Sequence, residues 1–202
     1  MKNKNIGEMT VKRKRGCFRY TFYILLAIFL LYFSAGNGKE VLLKQIYPTK
    51  YQEYVEKYSA EYSLDKNIVY SIIKIESNFR SEVISKAGAK GLMQLMDETA
   101  KECSERADFR YIIPEDLFDP EKNIRLGCLY FKSLMDNYGD MELALTAYNG
   151  GTGNVDKWLK DENLSDGEGG LSDIPYKETR DYVKKVMRTF DIYNKLYKTA
   201  EY

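Results

Sequence analysis

The stretch YSIIKIESNFR, residues 70–80, places isoleucines at helical spacing and follows Ile75 with one acid, Glu76. On a helix the neighbours of Glu76 one turn back are Ile73 and Ile72, and Val69 lies two turns back on the same side. Such a helix buries an isoleucine face in a core and carries a carboxylate at the edge of that face. Desolvation disfavours the charged form of an acid, so the pattern pushes the pKa of Glu76 towards what a general acid needs at neutral pH. The plainer alternative is a helix-end glutamate paired in solvent with Arg80 or Lys74.

Around this helix the pattern stays helical. Asp65 is its N-cap, and it runs to about Ser77. An earlier helix is expected over Pro48 to Tyr62. A loop with Ser85, Gly88 and Gly91 leads to a helix from about Leu92 to Glu105. Asp119 as N-cap and Pro120 at the first helical position begin a long helix reaching Asn137. Asp140 caps a shorter one ending near Tyr148, and a glycine turn separates it from a short helix over Val155 to Lys160 with Trp158. A polar, glycine-containing loop precedes a last helix from Lys177 to Tyr197. Strict apolar–polar alternation and hairpin dipeptides between β-branched runs are missing, so strands are not expected. The prediction is an all-α domain over residues 48–202.

Composition narrows the chemistry. The 202 residues suffice for one domain with a sizeable core plus an appendage. Residues 1–35 hold seven Lys/Arg and one acid, leaving 24 basic and 29 acidic residues in the remainder, a body charge of about −5. That balance argues against nucleic acid as a partner. The chain has no histidine, which excludes Ser-His-Asp and Cys-His catalysis and histidine metal sites. Cys17, Cys103 and Cys128 are too few and too scattered for a cysteine zinc site. Neither metal nor cofactor is expected.

Residues 1–19 are polar and basic, and no charge falls between Tyr20 and Gly36. As a helix, that apolar run spans about 25 Å, a short membrane crossing. The basic lead places the amino terminus in the cytoplasm and the body outside. The competing reading is a cleaved signal peptide with Ser34-Ala35-Gly36 as its small-residue site. The long polar lead favours a retained anchor, followed by a linker over 37–47. Outside the cell, Cys103 and Cys128 either pair as a disulfide or remain separate buried thiols.

Further chemistry is carried by short motifs. SKAGAKGLMQLM (85–96) joins glycines, which let backbone approach a ligand, to Met93 and the donor–acceptor amide of Gln94. ALTAYNGG (144–151) places Tyr148 and Asn149 where a helix meets a glycine turn. IPYKETRDYV (174–183) puts Glu178 and Tyr182 on one helix face, although an acid there also suits the helix dipole.

Taken in order, IIKIES, SKAGAKGLMQL, LFDPEKNIRLGCLYF, ALTAYNGGTGNV and IPYKETRDYV resemble the SLT-type lytic transglycosylases, relatives of goose-type lysozyme. The resemblance covers roughly residues 50–195. It implies a lysozyme-like all-α domain with a groove for peptidoglycan glycan strands. By motif position it implies Glu76 as the single catalytic acid. It also implies Ser85, Met93, Gln94, Tyr148 and Asn149 as lining the sugar subsites, and Glu178 and Tyr182 as a late pair shaping the site. The chain departs from the family pattern at Asp97, where a proline is usual, and at the GGTG turn.

The resemblance further implies a reaction with one carboxylate, where ordinary glycosidases use two. Glu82, Asp97 and Glu98 read more simply as solvated charges. Two other readings are a hydrolytic muramidase of the same fold and a tethered module that binds glycan without cutting it. An anchored enzyme also suits a larger machine that opens the wall locally.

Overall fold

The computed structural model describes residues 6–34, 37–106 and 113–197. The chain divides into two compact units, Met1–Pro48 and Thr49–Tyr202. The first holds α1 (Ile6–Ser34) and α2 (Asn37–Ile46). The second holds α3 (Gln52–Glu61), α4 (Lys66–Glu76), α5 (Asp97–Arg106), a 3-10 turn at Pro114–Phe118, α6 (Pro120–Tyr138), α7 (Met141–Gly150), α8 (Thr152–Leu159) and α9 (Lys177–Leu196). Among the described residues the architecture is all-helical, with only isolated β-bridges at Ile84–Lys90, Lys90–Leu95 and Ser165–Leu171.

Local chemistry sets the helix starts. The Asp65 carboxylate accepts from the Asn67 amide at 2.7 Å, Asp119 from Lys122 at 2.9 Å and Asp140 from Leu143 at 2.9 Å. Each cap satisfies an amide that the helix itself leaves unpaired. Pro120 begins α6, and Gly139 ends it with φ 66°.

The core is built on α4. Ile68, Val69, Tyr70, Ile72 and Ile73 are buried, and α9 lies along them with Tyr182, Val183, Val186 and Tyr193. Tyr70 stacks on Tyr193 with ring centres 5.5 Å apart. α6 and α7 close the core with Ile124, Leu126, Phe131, Leu143 and Leu145. Each fully buried aliphatic or aromatic side chain stabilises the fold by about 1.5–3 kcal/mol. Ile73→Ala is therefore expected to cost about 2–5 kcal/mol through the cavity it leaves.

Several boundaries differ from the sequence reading. The helix expected from Leu92 begins only at Asp97. Residues 90–95 instead form a tight turn in which Lys90 and Leu95 exchange backbone hydrogen bonds at 2.9 and 3.0 Å. Gly91 and Gln94 adopt φ 77° and 50° there, which a helix excludes. α3 begins at Gln52 rather than at Pro48, and α8 at Thr152 rather than at Val155. The expected linker over 37–47 contains α2. Cys103 and Cys128 are separate buried thiols, which removes the disulfide alternative.

No single described helix is long and apolar enough to cross a membrane. The pair Phe18–Phe33 and Gly38–Ile46 is, by length and composition. Residues 35 and 36 of the expected cleavage site lie outside the described residues.

Candidate active site

Glu76 is the last residue of α4, and Ser77 is its C-cap. Ile72, Ile73 and Val69 are fully buried beneath it. Burial pushes the Glu76 carboxyl up to about 7, against a smaller opposing pull from Tyr182. No ion pair reaches Glu76 among the described residues. Lys74 donates to Asn78 Oδ1 at 2.6 Å, and Arg80 Nε donates to the Ser77 carbonyl at 3.1 Å. The solvent ion pair offered as the plain alternative is therefore not made.

Two tyrosines from different helices stand within electrostatic reach of this acid. Tyr148, on α7, and Tyr182, on α9, have hydroxyls pushed well above their usual pKa, first by burial and next by the charge of Glu76. Both hydroxyls therefore stay protonated beside the carboxyl. Tyr148 donates to the Met93 carbonyl oxygen at 2.7 Å. Its ring packs on Tyr130 at 5.2 Å and on Phe131 at 6.1 Å. The Tyr182 hydroxyl is buried and makes no hydrogen bond of standard geometry, although it lies close enough to Glu76 to lower its pKa.

The loop before α5 supplies the other candidates. Ser85 Oγ accepts from the Ala89 amide at 3.0 Å, closing a turn at Gly88. Gln94 Nε2 donates to the carbonyls of Val83 (3.0 Å) and Gly91 (2.8 Å), so this amide shapes the loop and leaves its Oε1 for another donor. The Met93 side chain is fully buried and points into the core. Only the Met93 backbone joins the cluster, through Tyr148. Asn149 is exposed at the end of α7, and Glu178 is exposed in the first turn of α9, one turn before Tyr182. The structure thus gathers Glu76, Tyr148, Tyr182 and the Met93 backbone, while Asn149 and Glu178 face solvent.

The candidates for a second carboxylate are accounted for otherwise. Asp97 pairs with Lys90 at 2.6 Å, and Glu82 and Glu98 are exposed. Two cavities, of about 680 and 490 Å³, lie away from Glu76. The larger sits between the start of α7 and residues 166–174 and is rimmed by Asp140, Glu142, Asp166 and Glu168. Neither includes the acid, so size alone does not identify the site.

Sequence reasoning missed Asn123. It is fully buried in α6, and its side chain makes three hydrogen bonds, two to the turn at 90–95 and one to the 3-10 turn. Its Oδ1 accepts from the Met93 amide at 2.8 Å, and its Nδ2 donates to the carbonyls of Lys90 (3.0 Å) and Leu117 (2.8 Å). Two glycines make room for this arrangement. A Cβ on Gly91 would meet the Leu117 carbonyl oxygen at 2.1 Å, and one on Gly127 would meet Met93 Sδ at 2.3 Å. The available signal was a neutral amide at an otherwise apolar helix position, which in a core has to be satisfied by specific partners.

Residues 53–168 match the family model described as the Transglycosylase SLT domain. Soluble lytic murein transglycosylase of Escherichia coli K12 is 32% identical over 154 residues, 75% of this chain and 24% of the relative. Membrane-bound lytic murein transglycosylase C of Edwardsiella ictaluri is 35% identical over 116 residues, 52% of this chain and 32% of the relative. An inactive glutamate-to-glutamine mutant of lytic transglycosylase Slt from Pseudomonas aeruginosa superposes with a TM-score of 0.68 at 33% identity, covering 75% of this chain and 25% of that one. A complex of a 70 kDa soluble lytic transglycosylase with bulgecin A gives 0.71 at 30% identity, covering 78% and 26%. The chain spans about a quarter of the length of the soluble relative it matches.

Proposed function

The chain belongs to the transglycosylase SLT family, and we propose that it is a peptidoglycan lytic transglycosylase. Its reaction cleaves the β-1,4 bond between N-acetylmuramic acid and N-acetylglucosamine. The observation that carries this reading is one half-buried acid, free of ion pairs among the described residues and with its pKa raised by desolvation to about 7, with two protonated tyrosines beside it.

Glu76 protonates the glycosidic oxygen as the C1–O bond breaks. The acetamido group of the muramyl residue stabilises the cationic ring. Glu76, now a carboxylate, takes the proton of the muramyl C6 hydroxyl as that oxygen bonds to C1. The product is a 1,6-anhydromuramyl end, the acid is regenerated, and no water is consumed. A raised pKa suits both halves, since it makes the neutral acid available and the carboxylate a competent base.

Tyr148 and Tyr182 hold the acid's surroundings low in water. Ser85, Gln94 and Asn149 are placed on the sugar subsites by their motif positions. Met93 contributes there through its backbone, and Glu178 frames the approach above Tyr182. Glycan strands are the partner this reading requires.

We further propose that the apolar part of α1 anchors the chain in a membrane, with the body on the side opposite the basic segment. The membrane-bound relative supports this reading. So does the exposure of Phe18, Leu25, Ile28 and Leu31, which are 57–76% exposed.

The test is digestion of purified peptidoglycan with the parent protein and with Glu76→Gln. The parent is expected to release anhydromuropeptides and the variant none, with unchanged circular dichroism. Products bearing reducing ends would assign a muramidase instead.

A further inference from the structure

α2 (Asn37–Ile46) presents a surface that neither the family nor the reaction explains. Its Val41, Leu42, Leu43 and Ile46 are all exposed, at 36–49%. In helical projection, Leu42, Ile46 and Leu43 form one arc that also holds Lys39, while Val41 projects onto the other side between Lys44 and Gln45. The opposite face carries Glu40 and Lys44, joined by an i,i+4 ion pair at 2.6 Å. Ten residues with three charges, Lys39, Glu40 and Lys44, are too polar to sit in hydrocarbon. Three large aliphatic side chains on one arc, Leu42, Leu43 and Ile46, are too apolar to be left in water without a role.

The junction with α1 points to what covers this arc. The helices Phe18–Phe33 and Gly38–Ile46 are inclined at 68° to each other. Gly38 is buried, and a Cβ there would stand 2.6 Å from the Phe33 ring. A side chain at position 38 would have to displace the Phe33 ring, so glycine favours this close approach of α2 to the last turn of α1. If α1 crosses a bilayer along its normal, an element at 68° to it runs close to the membrane plane.

We infer that α2 is an interfacial helix, with Leu42, Leu43 and Ile46 seated in the lipid headgroup boundary and Glu40 and Lys44 facing water. The inference rests on the proposed membrane anchorage of α1 and is independent of the reaction chemistry. Lys39, which projects between Ile46 and Leu43, reaches the lipid phosphates with its ammonium while its stem lies along the apolar side.

The experiment uses the full chain reconstituted in nanodiscs with ordinary or brominated acyl chains. Single tryptophans are introduced as Leu25→Trp, Leu42→Trp and Glu40→Trp, and emission is compared with the parent, which has Trp158 alone. Leu25→Trp and Leu42→Trp are expected to add blue-shifted emission, most of which bromine abolishes. Glu40→Trp is expected to add emission that bromine leaves unchanged.

A Leu42→Trp signal that is blue-shifted but insensitive to bromine would mean that protein, such as a second copy, covers the arc, and would overturn the inference. Quenching of Glu40→Trp as strongly as Leu42→Trp would place α2 within the hydrocarbon and would also overturn it. Quenching at Leu25→Trp without quenching at Leu42→Trp removes the interfacial helix while the anchor stands. Absence of quenching at Leu25→Trp removes both.

Discussion

The hydroxyl of Tyr148 donates to the carbonyl oxygen of Met93 at 2.7 Å, tying the end of α7 to the turn before α5. The two residues are 55 positions apart, and the bond sets the distance between a ring beside Glu76 and the loop that carries Gln94. Tyr148→Phe leaves the Met93 carbonyl without this donor. It is expected to lower stability by about 1–2 kcal/mol and turnover on peptidoglycan by about tenfold or more, through the displaced loop. Chemical denaturation and turnover on a fixed wall preparation check the two effects separately.

The pH dependence follows from Glu76. Its carboxyl must be protonated to cleave, and burial raises its pKa to about 7. Activity is therefore expected to fall as pH rises through about 7. Tyr182 opposes the upward shift, so Tyr182→Phe is expected to move this alkaline limb to higher pH. A limb that stays in place or moves lower would remove Tyr182 from the acid's environment. A kcat/KM profile on soluble glycan fragments checks the direction.

The same shift bears on stability. The folded-state pKa of Glu76 lies above its unfolded value of 4.5, so its contribution is fully present below 4.5 and is lost as pH rises through about 7. Glu76→Gln removes the buried charge. It should leave stability nearly unchanged at pH 4.5 and raise it at pH 8 by on the order of 2–3 kcal/mol. Thermal unfolding of both proteins across this range checks the sign.

Asn123 supports the site without touching it. Asn123→Ala strands the Met93 amide and the carbonyls of Lys90 and Leu117 in the interior. The expected cost is about 3–5 kcal/mol. Gly127→Ala is expected to lower activity by forcing Met93 aside, since the added methyl would meet its sulfur at 2.3 Å. Chemical denaturation of Asn123→Ala, and turnover by Gly127→Ala at a temperature where it remains folded, test these two roles.

What was legible in the sequence is what local chemistry decides. Asp65, Asp119 and Asp140 act as caps because a short acid before a helix meets its own backbone amides, with no help from elsewhere in the chain. The burial of Glu76 followed from Ile72, Ile73 and Val69, because helical projection needs only one segment. Residues 92–95 read locally as the start of a helix, and the turn they form instead is imposed by Asn123, about 30 residues away, and by the hold of Gln94 on Val83 and Gly91. Propensity within LMQLM favours a helix, and long-range hydrogen bonds override it. The inward turn of Met93 was hidden for the same reason, since its pocket exists only where Gly127 leaves room.

The central claim is that Glu76 alone supplies the proton and then recovers one from the sugar. Mass spectrometry of the soluble products released from purified peptidoglycan in H₂¹⁸O tests it most directly. The account predicts anhydromuramyl ends without ¹⁸O from the parent protein and no products from Glu76→Gln. Reducing ends carrying ¹⁸O, or undiminished release by Glu76→Gln, would contradict it.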